Sequence, residues 1–379
     1  MKIGIDARMY GPKVGGGGLG RYVEQLVTKL QEIDQENRYI LFLKKENFAA
    51  CQITNPNFEK RLADIHWYSI DEQRLLPKII DQEKLDLVHF PHWNVPLLLR
   101  TPFVVTIHDL ILLDDPSSAK ATTLGPIKYA LKRFGYRTVL WKAIKRSQKI
   151  ITVSQATELS ILKHFPWVKM RKIEIIYEGV TALTPNPSPR GGGGEYFLYI
   201  GNSYPHKNLK ILIDAFKIFQ ANHPTVKLIL AGHKDLFSEA LELYTTKLDL
   251  PISALEFIHD PDDETVAELY AGATLYVFPS KLEGFGLPGL EAMNAGVPVI
   301  AARAGSLPEV LGEAAVYFDP NSVTELADQI EKVWHNETLK KELVKKGFEQ
   351  IKKYSWTKMA EKILEIYRGR RGLRGCREL

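Results

Sequence analysis

The chain has 379 residues, of which 45% are hydrophobic and 25% charged, and its formal net charge is +5. This composition is typical of a soluble globular protein and excludes global disorder. Two cysteines, Cys51 and Cys376, exclude a disulfide framework, and no Cys/His spacing indicates zinc, so we expect no metal. Because ordinary domains have roughly 100 to 200 residues, the length predicts two domains.

Short apolar runs alternate with helical stretches in the first half of the chain. Several of these runs are apolar almost without interruption, as strands covered by helices on both faces must be. The alternation predicts a parallel α/β sheet. The predicted strands are 2–7, 38–43, 64–70, 85–90, 103–108, 149–154 and 173–179.

The segment TALTPNPSPRGGGG, residues 181–194, interrupts this alternation with three prolines and four consecutive glycines. It is the best linker in the sequence because it can form neither helix nor central strand. A second α/β series follows it, and final helices are predicted near 323–335, 337–353 and 356–368. The predicted strands of this series are 195–201, 226–232, 255–260, 274–280, 297–302 and 314–319.

The predicted fold class is therefore α/β, with two Rossmann-like domains whose parallel sheets face each other across a cleft. We place the domains at 1–180 and 195–355, with a C-terminal helix and basic tail at 356–379 that could cross back to the first domain. Ligands of open α/β sheets bind outside the carboxyl ends of the strands, so residues that follow strands are the candidates for a site.

The stretch EGFGLPGLEAM, residues 283–293, follows a predicted strand and begins a predicted helix with Pro288 in its first turn. Amides at a helix start bind anions, and Gly286 lacks the Cβ atom that would hinder close approach. Glu283 and Glu291 can accept hydrogen bonds from vicinal hydroxyls of a hexose and a ribose. Amides for phosphate beside acids for sugars indicate a nucleotide sugar, although a capped helix with a stabilising Glu would look similar.

Two further strand ends support this interpretation. In VIAARAGSLPEVLG, residues 299–312, Ser306 and Leu307 lie at a second helix start, unless this is an ordinary turn. In YIGNSYPHKN, residues 199–208, Asn202 follows the strand and Lys207 precedes a helix. A lysine there could neutralise a departing diphosphate, although most lysines are simply solvated.

The first domain offers weaker signals. The segment GGGGLGRYVEQL, residues 15–26, contains Gly18 and Gly20 but matches neither the complete dinucleotide fingerprint nor the P-loop. It could equally be a flexible surface loop. His108 ends the predicted strand 103–108 and could bind a hexose hydroxyl, although a structural hydrogen bond is the commoner role. Trp93 could stack on a sugar face or pack at the rim of the core.

Eight segments follow one another along the chain: GIDAR, GLGRY, VVTIHDL, ITVSQ, YIGN, HKNL, FPSKLEGFGLPGLEAMNAGVPVIAA and GSLPEV. In this order they resemble the family 4 retaining glycosyltransferases of the group 1 class, and the resemblance covers nearly the whole chain. The resemblance implies the GT-B fold and metal-independent hexose transfer from a nucleotide diphosphate sugar, with no cofactor. It assigns the donor hexose to Glu283 and His108, the ribose to Glu291 and the diphosphate to Lys207. The amides around Gly286, Leu287, Ser306 and Leu307 would assist, and Gly18 and Gly20 would line the cleft.

The sequence departs from the family pattern at one place. Many members carry an Arg after the glycine that ends the first strand of the second domain, whereas Asn202 and Ser203 follow Gly201 here. Lys207 is then the obvious cation, with His206 or Arg303 as possible assistants. No general base is evident, and the resemblance requires none, because retaining GT-B enzymes are discussed in terms of front-side attack with the departing phosphate accepting the proton.

The motif details favour GDP-mannose as donor, with a UDP- or ADP-hexose next, and a glycan or lipid-linked acceptor in polysaccharide or cell-envelope biosynthesis. The alternatives are a nucleotide-sugar sensor or scaffold without turnover, or a GT-B epimerase or phosphorylase. A nicotinamide oxidoreductase is disfavoured because the dinucleotide fingerprint is incomplete.

Location is predicted from charge and hydropathy. Asp6 and Arg8 lie where a signal peptide needs an apolar stretch, and no apolar run approaches the ~18 residues of a membrane span. We therefore expect a cytoplasmic protein. The basic segments 128–149 and 367–379 could contact the anionic inner face of the membrane, or be a solvated helix face and a frayed end. No nucleic-acid partner is expected.

Overall fold

The structure of the protein is a computed structural model that describes residues 1–115, 126–181 and 195–369. The described residues form two compact units. Unit 1 contains those within 1–110, 122–179 and 355–379, and unit 2 those within 111–121 and 180–354. Apart from Thr181, the predicted linker 181–194 lies outside the described residues, as does the basic tail after Gly369.

Unit 1 is built on a seven-stranded parallel sheet in the order β3-β2-β1-β4-β5-β6-β7. Its interior strand β1 has Ile3 and Ile5 fully buried, because helices cover both faces of a parallel sheet. The strand order reverses between β1 and β4. The strands are β1 (Lys2–Asp6), β2 (Arg38–Leu43), β3 (Phe58–Leu62), β4 (Leu87–Phe90), β5 (Phe103–Ile107), β6 (Ile150–Thr152) and β7 (Ile173–Ile175).

Unit 2 is built on a six-stranded parallel sheet in the order β10-β9-β8-β11-β12-β13. Its order reverses between β8 and β11, so the loops after these two strands diverge and leave a crevice at the carboxyl edge. The strands are β8 (Tyr196–Ile200), β9 (Lys227–Gly232), β10 (Leu255–His259), β11 (Leu275–Phe278), β12 (Val299–Ala302) and β13 (Ala315–Phe318).

Helices connect the strands in both units. Among the described residues, no helix is both long and apolar enough to span a bilayer. In chain order the helices are α1 (Pro12–Gly15), α2 (Gly17–Ile33), α3 (Lys45–Phe48), α4 (Ile70–Arg74), α5 (Leu76–Gln82), α6 (Ile111–Asp114), α7 (Pro126–Arg146), α8 (Gln155–His164), α9 (Leu209–Gln220), α10 (Leu236–Thr245), α11 (Asp263–Gly272), α12 (Leu287–Asn294), α13 (Leu307–Leu311), α14 (Val323–Trp334), α15 (Glu337–Ile351) and α16 (Trp356–Arg368).

One predicted strand is wrong. Residues 64–70 are not a strand, and the strand of this region is β3, which precedes them. Tyr68 has φ +61°, which interrupts an extended chain. The charged run of β3 concealed it, because three charged residues follow Phe58. Such charges are tolerated at the edge of a sheet, where they discourage pairing with another chain.

The last described helix, α16, completes unit 1. It packs against α2, and Trp356, Ile363 and Tyr367 are among its buried residues. The Tyr367 hydroxyl lies 2.6 Å from Nδ1 of the fully buried His89. A hydrogen bond of this kind satisfies a buried polar atom that would otherwise cost stability. The helix therefore belongs to the core of the unit formed by the beginning of the chain.

Candidate functional site

Two helices begin close together at the carboxyl edge of the unit 2 sheet. Gly286, with φ +106°, is the N-cap of α12, and Pro288 lies in the first turn. Ser306 is the N-cap of α13. The first amides of a helix have no acceptor within the helix, so they are available to an anion. The predicted end of the first helix is also observed, since Gly296 follows it with φ +73°.

The loops that lead into these two helices are tied to each other. The Ser306 hydroxyl is buried and lies 3.1 Å from the carbonyl oxygen of Glu283 and 2.9 Å from that of Phe285. Gly305 has φ +56°, and a Cβ atom there would lie 2.9 Å from the Glu283 amide nitrogen. The Ser306 side chain thus holds the loops together, and the Leu307 amide donates to Ala304 at 3.2 Å. The amides at the start of α12 remain the better anion donors.

Lys207 and Glu283 form an ion pair at this edge. Nζ of Lys207 lies 2.7 Å from Oε1 of Glu283, and the two side chains are only 15% and 10% exposed. Lys207 ends a single 3-10 turn after β8, and Asn208 follows in the left-handed region with φ 59°. The Asn208 amide group fixes this turn by donating to the carbonyl oxygens of Pro279 and Pro320. The residues predicted to hold the donor diphosphate and hexose are therefore in direct contact.

Glu291 lies past the first turn of α12 and is 8% exposed. The Tyr270 hydroxyl donates to its Oε2 at 3.2 Å. The fully buried Tyr276 has a pKa raised by burial and further by the charges of Glu283 and Glu291. Both carboxylates therefore act on one tyrosine, which places them around the same part of the carboxyl edge.

His206 and Arg303 are the other residues that the sequence offered as positive charges to assist Lys207. His206 is buried, and burial together with the charge of Lys207 lowers its pKa to about 4, so it is neutral near pH 7. The guanidinium of Arg303 lies over the ring of Tyr317, 5.4 Å from its centroid. The neighbouring lysine and the buried position disfavour a second charge at His206, and its assistance to Lys207 stays a prediction.

Asn202 follows β8, and its carbonyl oxygen accepts from the Tyr199 hydroxyl at 2.8 Å. A cavity at the carboxyl ends of β8, β9 and β10 is lined by residues that include Ser203, Gly232 and His259. The Asp260 amide donates to the carbonyl oxygen of Gly232 at 2.8 Å and is therefore engaged within the loop. This cavity adjoins the turn that carries Lys207.

In unit 1, His108 follows β5 and uses both ring nitrogens. Nδ1 lies 3.0 Å from Oε1 of Glu178, and Nε2 lies 2.9 Å from the carbonyl oxygen of Pro91. Both acceptors favour a doubly protonated imidazole. Burial lowers the pKa of His108, but the hydrogen bond to Glu178 and its charge outweigh burial, so the pKa is raised. A sugar hydroxyl would have to replace one of these partners, and the predicted sugar contact of His108 stays a prediction.

The glycine-rich segment of unit 1 is helical rather than a loop. Gly18 and Gly20 both lie in the first turn of α2, with Gly18 exposed and Gly20 buried. A Cβ atom at Gly20 would lie 2.2 Å from the carbonyl oxygen of Gly11, so the glycine permits this close approach. The start of α2 lies at the reversal of strand order, after β1, as expected for a ligand-binding edge.

Sequence reasoning missed several residues that hold the candidate site. Glu178 follows β7 and is separated from His108 by 70 residues, which gave no local signal. Tyr270, the partner of Glu291, lies in a helix that looks purely structural. The N-cap of the same helix is Asp262, whose side chain accepts from the Thr265 amide at 2.9 Å.

Each unit contains one parallel sheet, and unit 2 carries an acid–lysine pair beside two helix starts, which agrees with the class of GT-B glycosyltransferases; comparisons with known proteins show this class. The family model described as Glycosyltransferase Family 4 matches residues 16–182, and the model described as Glycosyl transferases group 1 matches residues 183–350. The chain belongs to this glycosyltransferase family and is a hexosyltransferase.

Relatives with similar sequences are glycosyltransferases. An uncharacterized glycosyltransferase of Methanocaldococcus jannaschii is 30% identical over 97% of this chain and 98% of its own. The O-antigen chain mannosyltransferase B of Escherichia coli is 33% identical over 74% of each chain. The O-antigen chain mannosyltransferase RfbU of Salmonella typhimurium is 27% identical over 81% of this chain and 84% of its own.

Solved structures share the fold. Sucrose-phosphate synthase from Thermosynechococcus elongatus has a TM-score of 0.75 at 20% identity and covers 98% of this chain and 100% of its own. HepE from Anabaena, in complex with UDP and glucose, has a TM-score of 0.74 at 19% identity and covers 97% of this chain and 100% of its own. The predicted fold class is confirmed.

Proposed function

We propose that this enzyme transfers a hexose, mannose as first choice, from a nucleotide diphosphate sugar to a glycan or lipid-linked acceptor. Transfer proceeds with retention at the anomeric carbon and without a metal ion. The observation that carries the proposal is the largely buried Lys207–Glu283 pair beside the start of α12. It provides one cation and helix amides for a diphosphate, with a carboxylate placed next to them for a sugar.

The donor would rearrange this pair. A diphosphate placed on the amides of Gly286 and Leu287 brings negative charge towards Lys207, which then shares its hydrogen bonds between phosphate and Glu283. Glu283 is thereby free to accept from hydroxyls of the hexose. Glu291 accepts from the ribose hydroxyls in exchange for its bond with Tyr270. Asn202, Ser306 and Leu307 shape the turn and the second helix start.

The reaction forms a bond from an acceptor oxygen to the anomeric carbon and breaks the bond from that carbon to the diphosphate oxygen. The electron pair of the broken bond goes to the diphosphate, whose departing oxygen takes the acceptor proton from the same face. Lys207 and the helix amides stabilise the negative charge that develops on the leaving group. Because they supply positive charge there, no metal ion is needed in the proposed mechanism. The remaining acceleration comes from holding the two substrates in position.

The choice of mannose rests on the sequence motifs and on relatives named O-antigen chain mannosyltransferases. GDP-mannose is accordingly the proposed donor, and a cell-surface polysaccharide or its lipid-linked precursor the proposed acceptor. HepE, which shares only the fold at 19% identity, was solved with UDP and glucose. UDP-glucose is therefore the most informative competing donor.

The test is hydrolysis and transfer of GDP-, UDP- and ADP-hexoses in the presence of a chelator, with acceptor extracts. Lys207→Ala and Glu283→Gln should each lose turnover of the preferred donor. The matched controls are Lys210→Ala, an exposed lysine near the start of α9, and Glu313→Gln, which is 92% exposed, and both should keep it. Donor binding without turnover in any combination would refute the proposal and favour a sensor.

We further propose that α7 rests on an anionic membrane surface. Leu131 and Phe134 are 72% and 70% exposed on this helix, and Lys132, Arg133 and Arg137 are exposed beside them. Apolar side chains that insert among headgroups while basic ones pair with phosphates are typical of peripheral helices. This placement would bring a lipid-linked acceptor to the enzyme.

Vesicle sedimentation at low salt tests the membrane contact. Binding to vesicles with anionic lipid should exceed binding to neutral vesicles, and Phe134→Ser should weaken it. Phe348→Ser, at a residue that is 43% exposed in unit 2, is the control and should bind like the wild type. Equal binding to both kinds of vesicle, or no binding to either, would refute the proposed membrane contact of α7.

A further inference from the structure

Three side chains of unit 2 converge on one point away from the carboxyl edge. Nε2 of His223 and Nε2 of His335 each lie 3.2 Å from Oε2 of Glu331. One ligand atom from each of the three residues can be chosen so that all lie within 4.8 Å of one another. Two imidazoles and a carboxylate are a common set of protein ligands for Zn²⁺.

The separations suit a tetrahedral ion. With metal–ligand distances of about 2.0 to 2.1 Å, the edge of a tetrahedron is about 3.3 Å. The two His–Glu separations of 3.2 Å already match that edge. The two imidazoles need only turn their Nε2 atoms towards the common centre. Each can bind as a neutral ring whose proton lies on Nδ1.

Packing fixes one imidazole and leaves the other adjustable. The ring of His223 is stacked on Phe219 with 4.1 Å between centroids and lies 5.8 Å from the ring of Trp334. His223 is 18% exposed, whereas His335, at the end of α14, is 65% exposed. A rigid ligand on one side and a solvent-facing ligand on the other provide both a preformed site and an entry path.

The cluster lies at the amino-terminal edge of the unit 2 sheet. His223 follows α9 and precedes β9, whereas Lys207 precedes α9 and follows β8. The two ends of this helix are about 18 Å apart. An ion at the cluster would thus contact neither the Lys207–Glu283 pair nor the helix starts, and its function would be structural.

We propose that His223, Glu331 and His335 bind one Zn²⁺ ion, with water as the fourth ligand. Nitrogen ligands favour Zn²⁺ over Mg²⁺ or Ca²⁺, which prefer oxygen. The ion replaces the His223–Glu331 hydrogen bond and the His335–Glu331 contact, and joins the segment between α9 and β9 to the end of α14. It stabilises unit 2 against unfolding because the ligands are brought together only in the folded chain. Glu331 and His335 are one helical turn apart, but His223 is 108 residues from Glu331, so no local spacing of ligands indicated a zinc site.

The test measures binding of Zn²⁺ alone to the metal-free full chain by calorimetry, and of Co²⁺ by its visible absorption. All variants carry Cys376→Ser, so that this thiol does not compete for the metal. We expect one saturable Zn²⁺ per chain, a Co²⁺ spectrum of four-coordinate type, and a higher midpoint of thermal unfolding with Zn²⁺. Replacing an outer-sphere partner typically weakens metal binding 10- to 100-fold, so His335→Gln and Glu331→Gln, which lose a direct ligand, should weaken it more than about 100-fold.

His233→Gln is the matched control, because His233 is a 73% exposed histidine of the same unit that pairs with Asp260. It should bind Zn²⁺ like the wild type. Because His335 is mostly exposed, its replacement leaves the fold intact, which circular dichroism checks. The proposal is overturned if the chain lacks saturable binding, or if His335→Gln and Glu331→Gln bind as tightly as His233→Gln. Sugar transfer in chelator is measured separately, so loss of the zinc site and loss of the proposed activity remain distinguishable.

Discussion

Replacing Lys207 by methionine tests whether the ion pair of the candidate site is energetically coupled. The substitution keeps the length of the side chain and removes its charge. Glu283, only 10% exposed, is then left without its partner at 2.7 Å. Removing one partner of a buried pair costs about 3 to 5 kcal/mol, and the residual exposure places this pair at the lower end, about 3 kcal/mol.

The double variant Lys207→Met/Glu283→Gln separates coupling from packing. It contains no unpaired charge, so we expect it to be about 1 to 2 kcal/mol more stable than Lys207→Met alone. The assay is native-state hydrogen exchange of peptides that cover β8, β11 and β12, because it reports unit 2 separately from unit 1. GDP or UDP should increase protection in the wild type and much less in Lys207→Met.

Additive effects of the two substitutions would refute this reasoning. Lys207 and Glu283 would then be neighbours without energetic coupling, and neither would be poised to exchange its partner for a diphosphate. Lys210→Met is the control; Lys210 is exposed and its Nζ lies 5.0 Å from the centroid of the Tyr244 ring, so the change should cost no more than about 1 kcal/mol.

Three other changes test the remaining parts of the site. Glu291→Gln should weaken donor binding by about 1.5 to 3 kcal/mol through loss of charge-assisted hydrogen bonds, and unchanged affinity in calorimetry would remove Glu291 from the site. The raised pKa of His108 implies that its contribution to stability is complete below pH about 6.5 and is lost as the pH rises through the folded-state pKa. Glu178→Gln should abolish that loss in pH-dependent denaturation. An unchanged pH profile would show that Glu178 does not raise the pKa of His108. Gly305→Ala should cost about 1 to 2 kcal/mol and reduce turnover, because its φ is +56° and the Glu283 amide is close, whereas Gly135→Ala, within α7 and open to solvent, should not destabilise.

Most of the fold could be predicted because apolar runs mark buried parallel strands. The six strands of unit 2 all lie within predicted segments, and Pro288 lies in the first turn of α12 as predicted. The prediction was wrong where a strand of the sheet does not consist of apolar residues. β3 is an edge strand with three consecutive charged residues, so its pattern resembles that of a surface segment.

The positions of the candidate residues at strand ends and helix starts could be predicted from the sequence, but their contacts could not. A strand end followed by glycine and proline indicates an anion-binding helix start, which identified the loop of Glu283 and the start of α12. The pairing of Lys207 with Glu283 spans 76 residues and has no local pattern. The amides around Ser306 were predicted to assist the diphosphate, but no local pattern indicated that the Ser306 hydroxyl bonds to the neighbouring loop. Such contacts depend on distances between loops, which only the folded chain defines.

The membership of α16 in unit 1 has a consequence for synthesis on the ribosome. The apolar face of α2, with Tyr22 and Leu26 buried, is covered by a helix that begins at Trp356. At about 5 to 20 residues per second, the whole of unit 2 takes roughly 10 to 35 s to emerge after the first strands. The nascent chain therefore exposes this face throughout that interval and offers it to chaperones. The first unit to be translated is the last to be completed.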